Sequence, residues 1–174
     1  MRRKSKAAED FIDGLIAHIE GHVLRQKQNA GKREAEIQRG LYPLIAGYLS
    51  EHFQNESPKD YERRAADAVY WEGQDDPNTE TKTPVFAARS YPDFIIREPY
   101  RIAIEYKQSN TGALVKQCIG QGLMYMLSGD YDFAYLLFDD QTDDKSIRKS
   151  MKGPLELEIK HRLWKDFNIK MWIL

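Results

Sequence analysis

The chain has 174 residues, 41% of them hydrophobic and 30% charged, with a formal net charge of −1. That is enough for one domain with a sizeable core, and it argues neither for nor against a nucleic-acid partner. No apolar run approaches the ~20 residues of a membrane span, the acids Glu9, Asp10, Asp13 and Glu20 behind the basic MRRKSK start rule out a secretory signal, and the single Cys118 excludes an internal disulfide and makes a reducing cytoplasm the simplest setting.

Charge is distributed unevenly. Residues 1–33 hold eight Lys/Arg and four Asp/Glu, a net of +4, and the rest of the chain holds 18 and 23, a net of −5. A basic end of this kind reads either as a phosphate contact or as a solvated tail with one exposed helix face. Residues 7–27 carry Phe11, Leu15, Ile16, Ile19 and Val23 at helical spacing, and Gln28-Asn29-Ala30-Gly31 breaks the pattern. A second helix is expected from about Lys32 to Phe53, with Ile37, Leu41, Leu44, Ile45 and Tyr48 as its stripe and a kink or break at Pro43. Residues 58–72 suggest a third helix, and 73–84, GQDDPNTETKTP, a loop. Pro84 to Arg89 reads as a short strand.

After the hairpin described next, residues 112–128 read as a helix that is apolar on most sides and therefore buried. Tyr131–Phe138 is a β-prone run, residues 139–153 are polar without a clear pattern, Leu155–Phe167 is an amphipathic helix, and Asn168–Leu174 is a terminal strand. Strands that alternate with helices in this way imply an α/β fold, a mixed central sheet with helices on its faces.

The richest stretch is Tyr91–Gln108, YPDFIIREPYRIAIEYKQ. It reads as two strands joined by a turn at Glu98-Pro99-Tyr100. Side chains two apart on a strand share a face, so Glu105 and Lys107 project together and Tyr106 points away. If the strands pair, Asp93 lies across from Glu105. Two converging carboxylates suit a hard cation such as Mg²⁺, with Mn²⁺ as substitute. A lysine beside them can hold or polarise a water. Glu105 interrupts the apolar run IAIEY, where a carboxylate is costly unless it is paired or metal-bound. The plain alternatives are a Glu105–Lys107 or Glu105–Arg ion pair, and an Asp93 that bonds nearby backbone amides.

Pro92, Asp93, Glu105, Tyr106 and Lys107 together resemble the motif of the PD-(D/E)xK nuclease superfamily. The resemblance covers about Lys32 to Leu174 by element order and implies a restriction-endonuclease-like αβββαβ core, with residues 1–31 as a basic helical extension and 32–174 as the nuclease-like domain. It implies a metal-dependent hydrolase of DNA phosphodiesters, with Asp93 and Glu105 as metal ligands, the Tyr106 backbone carbonyl facing the metal, and Lys107 acting on the water and the transition-state charge. Family members often place a further acid on the first core helix. Here Glu34 and Glu36 compete, and REAEIQRGLYPLI is similar to the opening of restriction-type nuclease domains. Glu34 is preferred because it shares the face of Ile37 and Leu41.

Gln117, Gln121 and Tyr125 step by four along one helix, and Gln121-x-x-x-Tyr125 resembles the Q-x-x-x-Y element of recombination exonucleases, which supports the metal site and contacts DNA. Gln108 is expected near the groove. An RNA nuclease, a homodimer, and a catalytically inactive module that binds nucleic acid or a protein all stay open. A serine or cysteine nucleophile is disfavoured, because Cys118 sits in a core pattern and no histidine is paired with an acid in a suitable context. His18 and His22 could hold a metal at i, i+4 spacing, but nothing completes that site.

Overall fold

The structure is a computed structural model and describes residues 4–23, 33–56, 59–73, 83–85 and 88–173. The expected loop therefore lies outside the described residues over 74–82. The elements are α1 (Lys6–Val23), α2 (Glu34–Glu56), α3 (Tyr61–Asp67), β1 (Val69–Trp71), β2 (Thr83–Val85), β3 (Ala88–Ser90), β4 (Phe94–Ile96), β5 (Ile102–Ser109), α4 (Gly112–Ser128), β6 (Phe133–Asp140), α5 (Ser146–Ser150), α6 (Pro154–Phe167) and β7 (Ile169–Ile173).

A five-stranded mixed sheet in the order β1-β4-β5-β6-β7 forms the centre, and β2 and β3 make a separate two-stranded sheet. β1–β4 and β4–β5 are antiparallel. β5–β6 and β6–β7 are parallel, which requires the crossovers through α4 and through α5–α6. One face of the sheet packs on α1 and α2 through Ile104, Tyr106, Tyr135 and Leu137 against Leu15, Ile19, Leu41 and Ile45. The other face carries Ile95, Ala103, Ala134 and Leu136 against Val115, Cys118 and Tyr125 of α4. The α1 stripe of the basic N-terminal segment is thus part of the same core as α2.

Four sequence expectations change. The third helix stops at Asp67, and Val69–Trp71 is strand β1. Val69, Tyr70 and Trp71 are all buried and pair with Phe94–Ile96; a partner strand on one side and packing on both faces outweigh a weak local helix pattern. The segment around Pro84–Arg89 holds parts of two short antiparallel strands, not one. Of the kink or break expected at Pro43, the break is absent, because α2 runs through it as one helix. Pro43 and Arg39 are both exposed, so the carbonyl that loses its helical donor can turn to water. Finally, α4 is not buried all round. Val115, Cys118, Gly122 and Tyr125 form its buried face, whereas Leu127 is 66% exposed.

Candidate active site

Asp93 immediately precedes β4, and Glu105 and Lys107 stand near the end of β5. Phe94 pairs with Ile104 and Ile95 with Ala103, so the same register carried one step outward sets Asp93 across from Glu105. Ile95 and Ala103 face α4, and alternation puts Asp93, Glu105 and Lys107 on that face as well. Past the end of β4, the Asp93 side chain stands in for a ladder partner: Tyr106 N–H donates to Asp93 Oδ2 at 2.7 Å.

The groups form a short chain of contacts. Lys107 Nζ lies 3.2 Å from Glu105 Oε1 and 3.2 Å from Glu34 Oε1. On its other side, Glu105 Oε2 accepts from the Tyr125 hydroxyl at 2.9 Å, and that hydroxyl also lies 3.1 Å from the Tyr91 carbonyl oxygen. Four elements therefore meet here: the start of α2, the start of β4, the end of β5 and the buried face of α4. The Glu105–Lys107 ion pair expected as the plain reading of Glu105 is present, as one member of this larger cluster.

Burial dominates the electrostatics. Asp93 is 7% exposed and Glu105 2%. Loss of hydration, and next the Glu105 charge, push the Asp93 carboxyl up to about 7, against the pull of Lys107 and the Tyr106 N–H. Burial also raises Glu105 above the usual carboxylate range despite Lys107 and Tyr125. For Lys107 burial acts downward, but Asp93, Glu105 and Glu34 outweigh it and hold the ammonium above its ordinary value. Lys107 is therefore a fixed cation at neutral pH and not a base. Burial, followed by the Glu105 charge, raises the Cys118 thiol, which keeps it unreactive.

The remaining sequence candidates separate. Glu34 joins the cluster through Lys107. Glu36 is exposed and instead accepts from the Arg33 N–H at 2.9 Å, capping the start of α2. The Tyr106 side chain is on the opposite face of the sheet, where its hydroxyl donates to Asp139 Oδ2 at 3.3 Å. Gln108 shares that face and bonds the same hydroxyl, so it does not stand with the carboxylates. Gln121 is half-buried, with an Oε1 that has no partner among the described residues. Gln117 is exposed on α4 and does not join Gln121 and Tyr125. Steps of four advance 400° around the helix, so two steps carry a residue about 80° off the starting face. Sequence reasoning missed Glu72, whose N–H donates to the Asp93 carbonyl at 3.0 Å and whose charge acts on Glu105. It lies where a third helix was expected to end, so no strand alternation was read there.

Comparison with family models, with curated proteins and with solved structures yields no match. Among the described residues, no three His, Cys, Asp or Glu side chains are already gathered in a form that could hold a metal ion. A divalent cation nevertheless suits the donor set in kind. Mg²⁺ commonly takes one or two carboxylates and keeps several waters. Two buried carboxyls with raised pKa values gain most from a nearby positive charge. Asp93 and Glu105 could supply the oxygen ligands, with Glu34 within reach of the same cluster.

Proposed function

We propose that this chain is a Mg²⁺-dependent hydrolase of DNA phosphodiester bonds of the PD-(D/E)xK type, with Mn²⁺ able to replace Mg²⁺. The observation that carries this reading is the meeting of Asp93, Glu105 and Lys107 on one face at the end of a β4–β5 hairpin. The five-stranded mixed sheet with helices on both faces supports this reading at the level of an α/β fold. A cation bound by Asp93 and Glu105, with the Tyr106 carbonyl as a further oxygen, would polarise the phosphate and a coordinated water.

The protein's own groups then divide the work. Lys107, held positive, donates to the water or to a phosphate oxygen and offsets the negative charge that grows in the transition state. Glu34 and Glu105 fix the ammonium from two sides, so its position costs little reorganisation when substrate arrives. Tyr125 holds the second oxygen of Glu105 and keeps that carboxylate turned toward the cluster. Burial under α4 keeps bulk water from screening these charges.

One observation favours a second reading. Lys107 already bridges Glu34 and Glu105, so the cluster is partly neutralised without a cation, as an inactive nucleic-acid or protein-binding module would allow. Incubation of the protein with linear, circular, single-stranded and branched DNA, and with RNA, in Mg²⁺, Mn²⁺ or EDTA separates the two. Metal-dependent DNA cleavage abolished by Glu105→Ala is expected. No cleavage of any substrate in either metal rejects the enzyme in favour of the module, and cleavage of RNA alone reassigns the substrate.

A further inference from the structure

We propose that Glu72 supplies a third carboxylate to the divalent cation at this site, an inference that rests on the metal-dependent reading above. β1, β4 and β5 lie side by side, with Trp71 opposite Phe94 and Phe94 opposite Ile104. The next row outward is Glu72, Asp93 and Glu105. The bond from Glu72 N–H to the Asp93 carbonyl, 3.0 Å, shows that β1–β4 pairing still holds at this row. Two residues back on each strand, Tyr70, Ile95 and Ala103 all pack in the core beneath α4. Strand alternation therefore sends Glu72, Asp93 and Glu105 to that same face.

Side chains directly opposite across antiparallel strands have Cβ atoms about 4.5–5.5 Å apart, and like charges so placed repel. A row of carboxylates is thus a cost to folding unless positive charge covers it. Glu105 has Lys107 and Tyr125. No hydrogen bond or ion pair reaches the Glu72 carboxylate among the described residues. The central member of the row gives independent reason to place a ligand there. Asp93 is 7% exposed, and only its Oδ2 is bonded, to the Tyr106 N–H. Its other oxygen has no partner among the described residues. That oxygen is not one of the fully enclosed orphan atoms, so it stands open at the cluster, where a cation over the middle of the row would meet it. The Glu72 side chain is exposed, and exposed side chains change rotamer in picoseconds to nanoseconds, so its carboxylate is free to turn toward that cation.

Calorimetric titration of the full chain with Mn²⁺ tests this, with wild type, Glu72→Gln, Glu105→Ala and Glu62→Gln compared. Glu62 is an exposed carboxylate on α3 and controls for loss of one surface charge. The expected result is a Kd weaker by about tenfold or more in Glu72→Gln, since even groups that only support metal ligands cost about 10- to 100-fold when lost, with Glu62→Gln matching wild type. A Kd unchanged in Glu72→Gln, or weakened equally in Glu62→Gln, overturns the role of Glu72. If Glu105→Ala still abolishes uptake in that case, the parent reading stands. Absence of Mn²⁺ uptake by wild type, or uptake unaffected by Glu105→Ala, overturns both.

Discussion

Asp93 works against the stability of the folded chain at neutral pH. Its carboxyl is raised from 3.8 to about 7, chiefly by burial and next by Glu105. A folded-state pKa above the unfolded one means that the native state holds its proton more tightly. Asp93 is therefore best tolerated below about pH 4, and its contribution is lost progressively as pH rises toward 7. A shift of that size corresponds to on the order of 4 kcal/mol. In EDTA, wild-type Tm should fall across this window, and Asp93→Asn should flatten the decline and raise Tm at pH 8. A lower Tm for Asp93→Asn at pH 8 would contradict this account. Lys107 acts in the opposite sense in the chemistry: as a fixed cation it stabilises charge, so Lys107→Ala should cut cleavage by about 10² or more while DNA affinity changes little. Wild-type cleavage by Lys107→Ala would make it a charge balancer only. Gln121 is decided by two measurements on one variant. Its Oε1 already lacks a partner, so Gln121→Leu should leave Tm unchanged or raised; a supporting role in the site predicts about tenfold slower cleavage. A lowered Tm with normal cleavage would remove Gln121 from the site.

α4 links packing to the cluster at the scale of an element. Its buried face carries Cys118, Gly122 and Tyr125, and the lack of a side chain at position 122 sets how closely it approaches β6. A Cβ built on Gly122 would stand 3.0 and 3.1 Å from the two methyl carbons of Leu136, a fully buried residue. Gly122→Val must therefore move α4 or Leu136, at a cost of about 1–3 kcal/mol. It should also loosen the Tyr125–Glu105 bond and slow cleavage. Gly120, on the exposed side, has nothing within 4 Å of such a Cβ. Gly120→Ala should stabilise by roughly 0.5–1 kcal/mol through helix propensity alone. Urea denaturation midpoints of the two variants should move in opposite directions; equal shifts would show that α4 does not seat on the sheet through Gly122.

For the whole molecule, the cluster draws on α2, β4, β5 and α4, so an ion bound there belongs to the native state and is absent from the unfolded chain. Binding then appears as stability, about 2.7 kcal/mol at a concentration 100 times Kd. Mn²⁺ should raise the Tm of the wild type in a concentration-dependent way and leave the Asp93→Ala/Glu105→Ala double variant unmoved. An equal rise in both would place the ion elsewhere. No helix among the described residues is long and apolar enough to cross a membrane.

The sequence alone determined what local periodicity encodes. The α4 span Gly112–Ser128, the β4–β5 pairing with Asp93 across from Glu105, and the shared face of Glu105 and Lys107 follow from alternation by two or by 3.6 residues around recognisable turns. Tertiary structure decided what depends on distant partners. Whether Val69–Trp71 is helix or strand turned on the presence of β4 beside it, and with that strand Glu72 came into the row. The face that Glu34 shares with Ile37 and Leu41 was legible locally, but its bond to Lys107 spans 73 positions and that of Tyr125 to Glu105 spans 20. A carboxylate, an ammonium and a phenol reveal their polarity in the sequence, but burial and neighbours fix their pKa and their bonds. Those are set only when separate segments close over the end of the sheet.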